Sequence, residues 1–180
     1  MFLSGDLSQT LIASERLTLR ALTAADAADS YGEVTGRIAS FMSWSPPTSE
    51  REFETTSQRQ LSNMKAGKEL HLVIRLTSTS ELVGRMGLHP ADAALLETGI
   101  WIKQSAQRHG YGREAVVALI KWASTRFHPS GSLWPVVDEN TSSIGLAEGL
   151  GGEIIGTRQR WKAGDKERTL LLYRIPAPVG

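Results

Sequence analysis

The residues with the clearest chemical potential lie in Gln107-x-x-Gly110-x-Gly112, with Arg108 inside the pattern and Arg113 just after it. Upstream, Glu97 to Lys103 alternates Ile100 and Ile102 with Gly99 and Trp101, the period-two signal of a strand. Downstream, Val116, Leu119, Ile120, Ala123 and Phe127 recur at three- and four-residue steps and form one stripe of a helix. The two glycines therefore fall where a strand turns into a helix. The first N–H groups of that helix have no internal partner and carry the positive end of its dipole. With no Cβ at Gly110 or Gly112, a phosphate can approach this backbone closely, and two arginines add charge beside it. The arrangement reads as a phosphate cradle. An ordinary strand-to-helix turn uses glycine in the same way, so the glycines alone divide evenly between the two readings. The dinucleotide fingerprint Gly-x-Gly-x-x-Gly is incomplete because Ala115 holds its third place, and no Gly-Lys-Ser/Thr follows to make a P-loop.

Composition bounds the rest. The chain has 180 residues, 41% of them hydrophobic, which suits a single domain over 1–180 with a sizeable core. The formal charge of +1, from 20 basic and 19 acidic residues without a basic tract, argues against nucleic acid as a partner. The absence of cysteine excludes disulfides, thiolate metal sites and a cysteine nucleophile. His71, His89, His109 and His128 show no paired ligand spacing, so no metal is expected. No apolar run approaches the ~20 residues needed to cross a bilayer, and Met1 to Ala13 lacks the pattern of a secretory signal. No membrane partner and a cytoplasmic location are expected.

The elements that must position the cradle can be read along the chain. Residues 1–14 are weakly patterned and form an arm. Arg16 to Arg20 alternates as a first strand, and Thr23 is placed to cap an alanine-rich helix ending near Gly32 or Gly36. Ser49 and Glu52 make a capping-box pair for a helix from Glu50 to Ala66, stopped by Gly67. Leu70–Leu76 and Glu81–Leu88 read as a hairpin, closed by His89-Pro90. After the central strand and helix come a short strand at Leu133–Val137, a helix at Thr141–Leu150, and a hairpin of Glu153–Trp161 with Arg168–Ile175 around Ala163-Gly164-Asp165. Pro135 lacks an N–H, so its strand is either an edge or locally parted from its neighbour. The order predicts an α+β fold: a mixed, mostly antiparallel sheet with helices on both faces. The central strand, its helix and Leu133–Val137 form a crossover, which makes those two strands parallel neighbours. A ligand would sit where they part, at the helix N-terminus.

This pattern resembles the GNAT superfamily of N-acetyltransferases, whose pyrophosphate loop reads (Gln/Arg)-x-x-Gly-x-(Gly/Ala). The resemblance covers roughly Arg16 to Ile175 and is strongest to the ribosomal-protein N-terminal acetyltransferase branch. Leu82-Val83-Gly84-x-x-Gly87-Leu88, Glu97-x-Gly99-x-Trp101, Asn140-x-x-Ser143 and Leu150-Gly151 are similar to segments of that branch. Ile100 and Gly152 replace aromatics there, and Ala147 replaces a larger apolar residue. The resemblance implies acetyl-CoA as donor and direct transfer of its acetyl group to an amine. Its pantetheine arm would pair like a strand with Trp101 and Ile102 in a parted sheet, and its pyrophosphate would sit on Gln107, Arg108, His109, Gly110, Tyr111 and Gly112, beside Arg113. His109 and Tyr111 would face solvent or the adenine end. Related enzymes are often dimers, which allows a homodimer here.

Direct transfer needs a neutral amine, an acyl carbonyl held in line with it, and a proton for the leaving thiolate. Glu97 is the candidate to orient the water that takes the amine's proton, although from pattern alone a surface or salt-bridged carboxylate at a strand start explains it somewhat better. Ser143 is the candidate donor to the thiolate sulfur, against a first-turn serine that satisfies backbone. Asn140 reads first as a helix cap and second as a contact to the cofactor arm. His89 is a weaker candidate for the acceptor side, as are Trp44, Phe41 and Met42 for its wall. The expected function is acetyl-CoA-dependent N-acetylation of a primary amine, favouring a protein or peptide α-amine. Acetylation of an amino acid, polyamine or antibiotic is the near alternative. A non-catalytic acyl-CoA-binding domain and a nucleotide-binding module are the distant ones.

Overall fold

A computed structural model describes residues 3–42, 47–91, 94–160 and 168–177. Trp44, Pro46 and the turn expected at Ala163–Asp165 lie outside them. Eight strands form one sheet: β1 (Leu11–Ala13), β2 (Leu17–Ala21), β3 (Leu70–Leu76), β4 (Leu82–Pro90), β5 (Leu95–Ile102), β6 (Gly131–Val137), β7 (Glu153–Arg160) and β8 (Arg168–Pro176). The helices are α1 (Asp26–Tyr31), α2 (Gly36–Ala39), α3 (Glu50–Lys65), α4 (Tyr111–Phe127) and α5 (Thr141–Gly149), with a 3₁₀ turn at Gln104–Ala106 before α4. The spatial order is β1-β2-β3-β4-β5-β6-β8-β7. β5 and β6 run parallel, and the other neighbouring pairs are antiparallel. The expected α+β architecture is therefore the observed one.

Several local expectations need correction. The segment before Arg16 is no loose arm over residues 3–14: Leu3 and Leu7 are 2% and 1% exposed, and Leu11–Ala13 pairs with β2 as an edge strand. Its apolar positions are too few to show a period, so burial rather than pattern orders it. Thr23 does not cap α1. The roles are reversed, with Asp26 accepting from the Thr23 backbone N–H at 2.9 Å and from its hydroxyl at 2.7 Å, so the helix begins later than Thr23 predicts. Thr35 opens a further short helix, α2, hidden from pattern reading by its four-residue length. For α3 the Ser49 cap holds, accepting from the Glu52 N–H at 3.2 Å, but the Glu52 carboxylate turns to Thr48 instead of completing the box.

The pleat sorts side chains onto two faces. Leu19, Leu72, Ile74, Met86, Leu88 and Leu96 point one way and pack beneath the apolar stripe of α4, where Ala115, Val116 and Leu119 are fully buried. The opposite face carries α1 and α3. There Arg85 of β4 donates to Gln60 of α3 at 2.7 Å and lies over the Phe53 ring, and its cross-strand partner is Trp101 of β5. Glu97, Gly99 and Trp101 share this face, while Ile100 and Ile102 face α4.

Candidate active site

β5 and β6 are paired only at Leu95↔Gly131, Leu96↔Ser132 and Glu97↔Leu133. Both strands continue, β5 to Ile102 and β6 to Val137, without further register between them. Pro135 lies in the unpaired part of β6 and keeps its partner Leu172 in β8. Of the two places open to this proline, the parted strand is the one it takes. The result is a gap in the middle of the sheet, bounded by Thr98 to Ile102 on one side and Trp134 to Val137 on the other.

The glycine loop stands at the end of β5. Arg108 and Gly110 are left-handed, with φ of 66° and 81°, and Gly110 is the N-cap of α4. Left-handed residues set close together bend successive N–H groups toward one point, a concavity suited to an anion. A Cβ at Gly110 would reach within 3.4 Å of the Arg16 guanidinium, whereas at Gly112 it would make an ordinary 3.7 Å contact with Ile102. Gly110 is thus required by the backbone, and Gly112 keeps the surface open. The loop is tied at both ends. The Gln107 amide donates to the Ile102 carbonyl at 3.0 Å, and Arg16 donates to the His109 carbonyl at 3.1 Å. His109 and Tyr111 stack at 5.6 Å, with Arg16 at 4.8 Å over the Tyr111 ring. Arg113 points along the helix to α5, where it donates to the Gly149 carbonyl at 3.3 Å.

Three supporting residues were invisible in the sequence. Glu114 accepts from the Ser14 hydroxyl at 2.8 Å, from the Arg16 N–H at 2.7 Å and from the Arg16 guanidinium at 2.8 Å. Burial pushes its carboxyl up, but the Arg16 backbone, Ser14 and the Arg16 side chain outweigh that and hold it below the usual carboxylate range. Glu114 therefore clamps the loop to the β1–β2 turn through residues nearly a hundred positions away.

A fourth unforeseen residue is Trp134. Its indole N–H donates to Ser143 Oγ at 2.9 Å from the α4 side of the gap. Asn140 caps α5 as expected, its side-chain oxygen accepting from the Ser143 N–H at 3.2 Å. Ser143 is thereby fixed by its backbone from Asn140 and by its hydroxyl from Trp134. Glu97 stands at the last paired position of β5, on the α3 side, and makes a 3.5 Å ion pair with Arg158 of β7. The structure therefore places Glu97 and Ser143 on opposite faces of the sheet. Beside Glu97 on β4 is its cross-strand partner His89, which contacts Glu69 at 3.2 Å. Phe41 and Met42 are half-buried just beyond α2, where the Ser40 carbonyl accepts from Arg168 at 3.2 Å.

Two of the three residues that depart from the sequence pattern, Ala147 and Gly152, pack on each other. Gly152 donates to the Ala147 carbonyl at 2.8 Å, and a Cβ at Gly152 would come within 2.7 Å of that oxygen. Ala147 is fully buried. These small residues close the α5–β7 turn.

The candidate site is thus a sheet parted between two parallel strands, with a glycine-opened helix start following β5. Residues 16–153 match the model of the acetyltransferase (GNAT) domain, and the chain belongs to that family. The chain has the fold of Mycobacterium smegmatis RimJ, solved with CoA-disulfide (TM-score 0.85, 17% identity, covering 97% of this chain and 90% of that one). It is similarly close to RimL, a ribosomal L7/L12 α-N-protein acetyltransferase (0.79, 18%, 93% and 94%). A GNAT-family acetyltransferase from Bacillus anthracis gives 0.80 at 18% identity, covering 93% and 99%. Comparison with curated protein sequences gives no significant match.

Proposed function

We propose that this acetyltransferase uses acetyl-CoA and transfers its acetyl group directly to a primary amine, preferring the α-amine of a protein or peptide. The observation that carries the reading is the end of β5–β6 pairing at Glu97↔Leu133, directly in line with the Gln107–Gly112 loop. The gap offers unpaired strand edges to an extended amide-bearing arm such as pantetheine, and the loop offers N–H groups to a pyrophosphate. Residues of this chain thus fit both polar parts of the co-substrate. Acetyl-CoA supplies an activated thioester carbonyl and a thiolate leaving group.

The chain's own groups then divide the proton work. An indole N–H can only donate, so Ser143 Oγ is the acceptor from Trp134, and the serine's single proton is left to point elsewhere. Accepting one hydrogen bond polarises the hydroxyl and strengthens it as a donor. Ser143 is therefore set to donate to a developing thiolate, an interaction that grows toward the transition state. On the other face Glu97, held by Arg158, orients a water that takes the amine's proton. Only a weak base is required when the acceptor is an α-amine. With a pKa near ~8 against ~10.4 for lysine, an α-amine is neutral roughly 250 times more often near pH 7. The RimJ and RimL likenesses support a ribosomal-protein-type acceptor through fold alone. A panel of peptides with free N-termini, free amino acids, polyamines and aminoglycosides, read by release of free CoA and mass spectrometry of products, tests the reading. Peptide Nα-acetylation is the expected result, and products acetylated mainly at lysine Nε would overturn the acceptor preference.

A further inference from the structure

Outside the gap, one group of side chains is arranged as ligands. Glu69 immediately precedes β3, His71 is its second residue, and His89 lies near the end of β4. Glu69 Oε1 is 3.0 Å from His71 Nε2, and Glu69 Oε2 is 3.2 Å from His89 Nδ1. All three donor atoms lie within 4.8 Å of one another. We propose that Glu69, His71 and His89 form a binding site for a divalent transition metal of the zinc type, a role independent of acetyl transfer.

A hydrogen-bonded His–Glu–His chain would explain the distances equally well, but the directions speak against it. His71 Nε2 is buried and makes no hydrogen bond, although the carboxylate oxygen is only 3.0 Å away. The approach misses the ring's N–H axis, so the carboxylate and the imidazole are adjacent without being aimed at each other. Ligands converging on a common point look like this. Zinc lies about 2.0–2.2 Å from imidazole nitrogen and carboxylate oxygen, which puts neighbouring ligand atoms about 3–3.5 Å apart; each imidazole meets that spacing to its own carboxylate oxygen, and the three donor atoms, within 4.8 Å of one another, would draw together on the ion. Two imidazoles and one carboxylate are a donor set for zinc or ferrous iron, with remaining positions open to solvent.

The supporting shell is also present. Asn63 of α3 donates to Glu69 Oε1 at 2.7 Å and fixes the carboxylate's orientation. The rings cross edge-to-face at 5.3 Å, and Gly87 makes room for them, since a Cβ there would come within 2.7 Å of His89 Nε2. The His89 side chain is 37% exposed against 13% for His71, which gives an ion a way in. Spacing rules do not detect the group because they describe ligands on one helix or loop. Here His71 and Gly87 are cross-strand partners, and His89 stands one pleat further along.

The test is a zinc titration by calorimetry on untagged protein freed of metal, repeated with Co²⁺ followed by visible absorption. One zinc per chain is expected, weakened at least about tenfold in Glu69→Gln and His89→Ala, the effect of losing a ligand. His128→Asn should bind like the wild type, since His128 is exposed, far along the chain and in a left-handed conformation that asparagine tolerates. Circular dichroism without metal establishes that each variant is folded. Because His89 is the most exposed of the three, His89→Ala carries the test if Glu69→Gln does not fold. Zinc should raise the melting temperature of the wild type and not that of His89→Ala. A wild type that takes up no zinc, a folded His89→Ala that binds as tightly as the wild type, or binding abolished by His128→Asn would each overturn the proposal.

Discussion

Ser143 and Glu97 illustrate how single side chains acquire roles from what holds them. Ser143 has its oxygen engaged by Trp134 and its backbone by Asn140, so its proton is the free element of the arrangement. Ser143→Ala should lower kcat by about ten- to a hundredfold, the worth of one hydrogen bond to a charged group, with acetyl-CoA affinity nearly unchanged. Trp134→Phe removes only the polarising donor and should lower kcat by roughly fivefold, with Ser143 still present. Full activity in Ser143→Ala would return the residue to helix capping. In the proposed role, in which Glu97 serves the incoming amine, Glu97→Gln should cost most near pH 6, where the amine is protonated. Activity should recover toward pH 9 as the amine loses its proton unaided. Steady-state rates across that range decide the matter, and a loss that does not vary with pH would leave Glu97 as a partner for Arg158 alone.

At the scale of elements, the loop and α4 form a unit whose glycines have separable duties. Gly110 takes a left-handed conformation that costs a residue with a Cβ about 1–2 kcal/mol, so Gly110→Ala should destabilise the protein as well as weaken binding. At Gly112 the backbone is ordinary and a Cβ meets only Ile102 at 3.7 Å. Gly112→Val should therefore keep its melting temperature within a few degrees and lose at least about tenfold in acetyl-CoA affinity, because only the ligand needs that space. Calorimetry showing unchanged affinity in folded Gly112→Val would remove the phosphate from the cradle. The Glu114–Arg16 clamp fastens the β1–β2 turn to the first turn of α4 at one point.

At the scale of the whole molecule, the face of the sheet that carries α1 and α3 is anchored at Asp26. It is 1% exposed and accepts from Arg20 of β2 at 2.6 and 2.7 Å, from Arg75 of β3 at 3.0 Å, and from Thr23. Burial raises its pKa, but the hydrogen bonds from Arg20, Thr23 and Arg75 outweigh it and hold the carboxyl far below the usual range. A depressed folded-state pKa contributes stability that is complete above the unfolded value near ~3.9 and is lost as pH falls toward the folded one. Asp26→Asn should accordingly cost about 3 kcal/mol near neutral pH, the scale of breaking a buried ion pair from one side. Its deficit relative to the wild type should shrink below about pH 4, as the unfolded wild type takes up a proton that the folded state still excludes. Urea unfolding from pH 2 to 7 measures both, and a deficit constant over that range would show that Asp26 acts through packing.

The sequence by itself determined what depends on neighbouring residues along the chain: the strand–loop–helix run through Gly110 and Gly112, the α3 stop at Gly67, the β3–β4 hairpin, and the Asn140 cap. These are local, because hydrophobic period, backbone freedom and capping act over a few residues. It even limited Pro135 to an edge or a parting. Only the tertiary structure chose the parting, because that choice depends on β8 arriving from the end of the chain to hold the other side of β6. The same holds for Trp134 on Ser143, Arg158 on Glu97, Arg16 on Glu114, and the pairing of Glu69 with two histidines from different strands. Each is a contact between groups whose nearness is created by packing and topology, and no spacing along the chain records it.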